Sequence, residues 1–90
     1  MDKRIDPNVE QAPREAVFAS AGKGSVREVR FFPYVDHNDE EALRVDLVIG
    51  AHRFDDVDRI KVIAALYDTL MANGLDLFPY AYFAREGEAA

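Results

Sequence analysis

The chain has no cysteine in its 90 residues. Disulfides, thiolate metal ligands and cysteine nucleophiles are therefore excluded together. Small secreted domains commonly lean on disulfides, so the expected setting is reducing and cytoplasmic. No stretch approaches the roughly 20 apolar residues that span a bilayer, and no membrane role is expected. The opening MDKRIDPNVEQ lacks the apolar core of a signal peptide. Internal repeats and low-complexity tracts are absent as well.

Catalytic signatures are scarce. No serine sits in a nucleophile-elbow pattern. Gly22-Lys23-Gly24-Ser25 lacks the earlier glycine of a phosphate-binding loop and reads as a turn with an exposed lysine. Asp36-His37-Asn38-Asp39-Glu40-Glu41 starts like a calcium loop. It has Glu41 where the loop needs glycine and Leu47 where it needs a bidentate glutamate. A solvated hairpin loop with no structural weight is the expectation. His37 and His52 flank a strand, too far apart to share a metal ion. No cofactor and no metal are expected.

Apolar residues make up 49 % of the chain and charged residues 31 %, which suits one folded domain over residues 1–90. Residues 1–12 and 85–90 are polar or small and are expected to fray. The formal charge of −6 disfavours nucleic-acid partners, since phosphate backbones would be repelled.

Residues 26–34, VREVRFFPY, and 42–49, ALRVDLVI, read as two strands joined by a polar turn, with Leu43, Val45, Leu47 and Ile49 on one buried face. Arg44 and Asp46 on the other face are placed to pair across strands with Glu28 and Arg30. Residues 55–73 read as an amphipathic helix, capped by Asp55 or Asp56 and stopped by Asn73-Gly74. Its expected core stripe is Val57, Ile60, Ile63, Ala64, Tyr67, Leu70 and Met71, broadened by Val62 and Leu66. Residues 75–83, LDLFPYAYF, read as a last strand placed at an edge by Pro79. Residues 13–21 fit a short helix opened by Pro13, the preferred reading, or an extra strand. The expected fold is α+β: a small, mainly antiparallel sheet with one long helix on one face, in hairpin–helix–strand order.

The order VREVRFF, polar loop, ALRVDLVI, helix, GLDLF resembles the layout of minimal nucleotidyltransferases of the DNA polymerase-β-like superfamily. The resemblance covers about 60 residues. It implies that Asp46 matches the second metal-binding carboxylate and Asp76 a third. Pro33-Tyr34 stand where that family has Gly-Ser, and Arg44 stands where it has the first carboxylate. Two-metal chemistry needs that carboxylate, so the resemblance implies a degenerate, inactive copy.

Two strands carry seven aromatics: Phe31, Phe32, Tyr34, Phe78, Tyr80, Tyr82 and Phe83. One helix covers one sheet face, which leaves a tyrosine-rich second face suited to binding another protein. The expected partner-binding residues are Phe32, Tyr34, Tyr80, Tyr82, Arg30 and Arg44, rimmed by Glu28 and Asp46. The N-terminal segment packing over this face is the competing outcome. The expected function is a small acidic, non-catalytic binding or regulatory protein of inhibitor, antitoxin, immunity, phage accessory or assembly type. Its partner is another protein or a second copy of itself. The degenerate nucleotidyltransferase-like domain is the alternative.

Overall fold

Alternation every two residues over 26–35 and 41–49 produces two long strands, and the aromatic run near the C-terminus produces a third. A computed structural model describes residues 7–22 and 24–87. Its order is α1 (Pro7–Ala21), β1 (Val26–Val35), β2 (Glu41–Ile49), α2 (Arg59–Ala72) and β3 (Phe78–Arg85). The ends expected to fray fall partly on residues 1–6 and 88–90, outside the described residues, as does Lys23.

The segment 13–21 belongs to a helix that begins six residues earlier. Pro7 opens α1, where a missing N–H breaks no helical bond. Pro13 lies inside the helix and not at its start; it gives up one helical hydrogen bond, and its fully buried ring offsets part of that loss. Val17, one turn on, is also fully buried. The Arg14 guanidinium donates to the Val29 carbonyl at 2.7 Å and lies 5.3 Å from the Phe31 ring centre. That bond turns the Val29 carbonyl outward from the sheet, so Pro33, in phase with it, also faces the free edge. Its absent N–H costs the ladder nothing.

β1 and β2 pair antiparallel, with Val29 opposite Leu47, Phe31 opposite Val45 and Phe32 opposite Arg44. The turn between them is held by Asp36. Its Oδ1 accepts from the Asn38 N–H at 2.8 Å and the Glu40 N–H at 3.0 Å, while Asp39 takes a left-handed φ of 61°. The expectation that this loop carries no structural weight is corrected: the Asp36 carboxylate is spent on backbone donors, as an Asx turn requires.

The sheet is three-stranded and mixed, in the order β1-β2-β3, and not mainly antiparallel. β3 runs parallel to β2, with Leu43 opposite Pro79 and Leu47 opposite Phe83. The cause is the helix between them. Its 14 residues, at ~1.5 Å each, carry the chain back ~21 Å toward the end where β2 began, so the next strand must start there. The last strand also begins at Phe78 and not at 75, because Leu75 and Leu77 complete the loop while packing against the core.

α2 starts at Arg59, later than the expected 55. Residues 51–56 are taken up by turns, with the Arg53 N–H bonding Gly50 and the Asp56 N–H bonding Arg53. Asp58 is the cap that forms: its carboxylate accepts from the Lys61 N–H at 3.1 Å. Val57 before the cap and Val62 in the next turn both join the core, in the positions of a hydrophobic staple. At the other end the Leu75 N–H bonds the Leu70 carbonyl at 2.9 Å and the Gly74 N–H bonds Met71 at 3.0 Å. This is a Schellman motif, and Gly74 supplies its φ of +75°.

The helix face is rotated from expectation. α2 buries Val62, Leu66 and Leu70, whereas Ile60 is 81 % and Tyr67 46 % exposed. Ile60 and Tyr67 are therefore not core residues. α1 and α2 pack on each other on one side of the sheet, α1 touching β1 and α2 touching β3. Together they seal Val29, Leu43, Val45, Leu47 and Ile49.

Candidate interaction surface

Both helices lie on one side, and the described residues place nothing over the other. Alternation then decides its contents. β1 offers Glu28, Arg30, Phe32 and Tyr34; β2 offers Ala42, Arg44, Asp46 and Val48; β3 offers Phe78, Tyr80, Tyr82 and Ala84. All six sequence-predicted residues, Arg30, Phe32, Tyr34, Arg44, Tyr80 and Tyr82, share this face.

Ala42 explains how rings from the two outer strands meet. It sits on the middle strand, opposite Tyr34 on one side and Phe78 on the other. Its small side chain leaves room above it, and Tyr34 reaches over to Tyr80 with ring centres 5.3 Å apart. Phe78 lies 5.0 Å from Tyr80 and 6.4 Å from Tyr67 of α2. The rings form one continuous run from β1 across β3 to the helix, at tilted and edge geometries that suit aromatic pairs. Ala42 beneath them is only 4 % exposed.

The charges pair within strands and not across them. Arg30 reaches Glu28 at 2.7 Å and Arg44 reaches Asp46 at 2.8 Å. Each pair is two residues apart on one strand, so both side chains stand on the same face as neighbours. Arg44 also lies 4.5 Å from the Tyr82 ring centre, a cation–π distance. Two arginines against two carboxylates leave the face neutral in a chain of formal charge −6. Hollows of about 320 and 350 Å³ open on either side of the Arg44–Asp46 pair, the first reaching Tyr82 and the second Phe32 and Tyr34.

Protonation follows these contacts. The hydrogen bond between Tyr34 and Tyr82 pushes the Tyr34 hydroxyl above its ordinary 10.0, with Arg44 nearby opposing. Partial burial, then the negative charge of Asp36, pushes Tyr80 up as well; its hydroxyl donates to Asp36 Oδ2 at 3.4 Å. The backbone N–H of Glu40 holds Asp36 below its ordinary 3.8. Asp46 holds the Arg44 guanidinium firmly charged.

The surface thus joins tilted aromatic rings to a guanidinium held between Asp46 and the Tyr82 ring. The carboxylates that the nucleotidyltransferase layout would need are apart. Asp46 is level with Tyr82, and Asp76 precedes Tyr82 by six residues. Phe78, where β3 begins, is four strand residues or ~13 Å from Tyr82 at ~3.3 Å each, and Asp76 lies in the loop before it, whereas a two-metal pair is roughly 4 Å across. Among the described residues no three His, Asp or Glu side chains gather around a cation position, and His37 and His52 are both exposed. Sequence reasoning left Phe78 out of the site and assigned Tyr67 to the core. Its phase with Tyr80 and Tyr82 already puts Phe78 on this face in the sequence, though outside the expected partner-binding set.

No protein-family model matches this chain, and no curated protein matches it. No helix among the described residues is long and apolar enough to cross a membrane.

Proposed function

We propose that this chain is a small acidic, non-catalytic binding protein whose open sheet face takes another protein. An inhibitor, antitoxin, immunity-type, phage accessory or assembly subunit would act in this way. The observation behind the reading is that both helices occupy one side of the sheet, while the other side keeps Phe32 and Tyr82 at 40 % and 45 % exposure beside a Tyr34–Tyr80 ring pair. Tyrosine and arginine at the centre of a patch are the residue types that carry binding energy in protein interfaces. Pro33 turns its missing N–H to the β1 edge, so side chains and not strand addition make the contact. The absence of net positive charge on the face argues against a phosphate backbone as ligand.

The test is to isolate the protein retained by the tagged chain from its native cell, then titrate the purified pair by calorimetry. Tyr34→Ala with Tyr80→Ala is expected to weaken binding by roughly 10-fold or more while circular dichroism stays native. A folded double variant that binds as well as wild type would move the functional surface elsewhere, with the acidic 35–41 loop next. Saturable binding of Mg²⁺ and a nucleoside triphosphate, lost on Asp46→Ala, would instead revive the nucleotidyltransferase-like alternative.

A further inference from the structure

α2 carries two apolar stripes, centred about 130° apart at 100° per residue. One is the buried stripe Val62, Leu66, Leu70. The other is Ile60, Ala64, Tyr67 and Met71, with Ile60 81 %, Tyr67 46 % and Met71 47 % exposed. Their spacing of four, three and four residues puts all four within roughly 60° of arc at 100° per residue, the seam of a two-helix coiled coil. A hollow of about 390 Å³ runs along this stripe, floored by Phe78 and Pro79 at the start of β3. Singly exposed apolar residues need no explanation, but an ordered stripe beside an apolar hollow marks an interface.

We infer that this stripe packs antiparallel against the same stripe of a second copy of the chain, about a two-fold axis near residues 65–66. The charges select that occupant. Lys61 and Asp68 are seven residues apart and so lie on one flank of the stripe, two turns from each other. A two-fold axis across the helices keeps that flank on the same side and reverses its direction. Lys61 of each copy then stands near Asp68 of the other, making two ion pairs. The same operation sets Ile60 against Met71 and Ala64 against Tyr67, a small residue facing a large one in each layer. Parallel packing, about an axis along the helices, would carry this flank to opposite sides of the seam and form neither ion pair.

The edge strand supports helix packing in preference to sheet extension. The Glu86 N–H donates to the Ile49 carbonyl at 2.7 Å, so even-numbered residues of β3 turn their N–H toward β2. Pro79 is out of phase with Glu86, and its missing N–H falls on the free edge beside the stripe. The proposed dimer takes Tyr67 and Phe78 at the margin of the open face and leaves Phe32, Tyr34, Arg44 and Tyr82 outside the hollow, so its failure and that of the binding reading are separate results.

Sedimentation velocity on the full chain across micromolar to hundreds of micromolar concentrations tests the dimer. A species of twice the 10.1 kDa chain mass is expected to grow with concentration. Ala64→Glu places a charge at the centre of the stripe on an already exposed position and is expected to raise the dissociation constant by roughly 10-fold or more. Lys61→Asp and Asp68→Lys are each expected to weaken the dimer by about threefold, and the two together to restore it. Tyr34→Ala with Tyr80→Ala is expected to leave it intact. A chain that stays monomeric throughout overturns the inference, as does a dimer that survives Ala64→Glu or is lost with the tyrosines. Should Ala64→Glu fail to fold, the charge swaps decide, and a double swap that does not restore the dimer overturns it.

Discussion

The two faces of the sheet use the same strands for opposite ends. On the helix side β2 presents Leu43, Val45, Leu47 and Ile49, none more than 1 % exposed. One residue out of phase, the other side presents Arg44 and Asp46 between Phe32 and Tyr82, which keep 40 % and 45 % of their surface in solvent. Aliphatic side chains fill the sealed side because they pack at high density without a polar atom to satisfy. Tyrosines suit the open side because each ring packs on its neighbours while its hydroxyl meets water. The difference teaches that a sealed face and an open one are separated by a single residue of phase, so changes on one face are expected to spare the other.

The comparison breaks most visibly on the sealed side. Leu47→Ala and Leu66→Ala are each expected to cost about 2–5 kcal/mol in urea unfolding, since both are fully buried in one cluster. Ile60→Ala, measured on the dilute monomer, is expected to change stability by less than about 0.5 kcal/mol. If Ile60→Ala costs as much as Leu66→Ala, α2 buries the face expected from sequence and not the one described. Asp58→Ala removes the cap of α2 and is expected to cost about 0.5–2 kcal/mol by the same assay; Asp56→Ala, which removes no cap contact, serves as the control.

These contrasts mark where the sequence was legible. Strand faces could be read because a period of two leaves only two choices, and Leu43 through Ile49 are aliphatic on one of them. The six partner-face residues follow from the same phase. α2 could not be oriented this way, because Val62-Leu66-Leu70 and Ile60-Ala64-Tyr67-Met71 both satisfy helical spacing. Packing against α1 and the sheet decides between them. The parallel β3 was implied by the helix that precedes it, but strand composition alone carries no direction. Asp36 was misread because a carboxylate bonding its own turn looks, in sequence, like any solvated loop acid.

A smaller effect sharpens the contrast at the rim. The Asp36 carboxyl is held below its ordinary 3.8 in the folded chain, first by the Glu40 N–H. A depressed folded value means stability that is present above 3.8 and lost as pH falls through the lower folded value. Asp36→Asn is therefore expected to flatten the acid limb of a melting-temperature profile in that window. An unchanged acid limb would show that the turn does not rest on this carboxylate.

The most direct measurement is the melting temperature of the Tyr34→Ala, Tyr80→Ala double variant set beside Leu47→Ala, both dilute and without partner. Leu47→Ala is expected to melt ~8 °C or more below wild type, from its expected cost and the usual 4–8 °C per kcal/mol for a domain of this size. The double tyrosine variant is expected to unfold cooperatively with less than half that fall, because its rings hold a surface and not the core. A double variant that unfolds, or that melts as low as Leu47→Ala, would contradict the separation of the two faces.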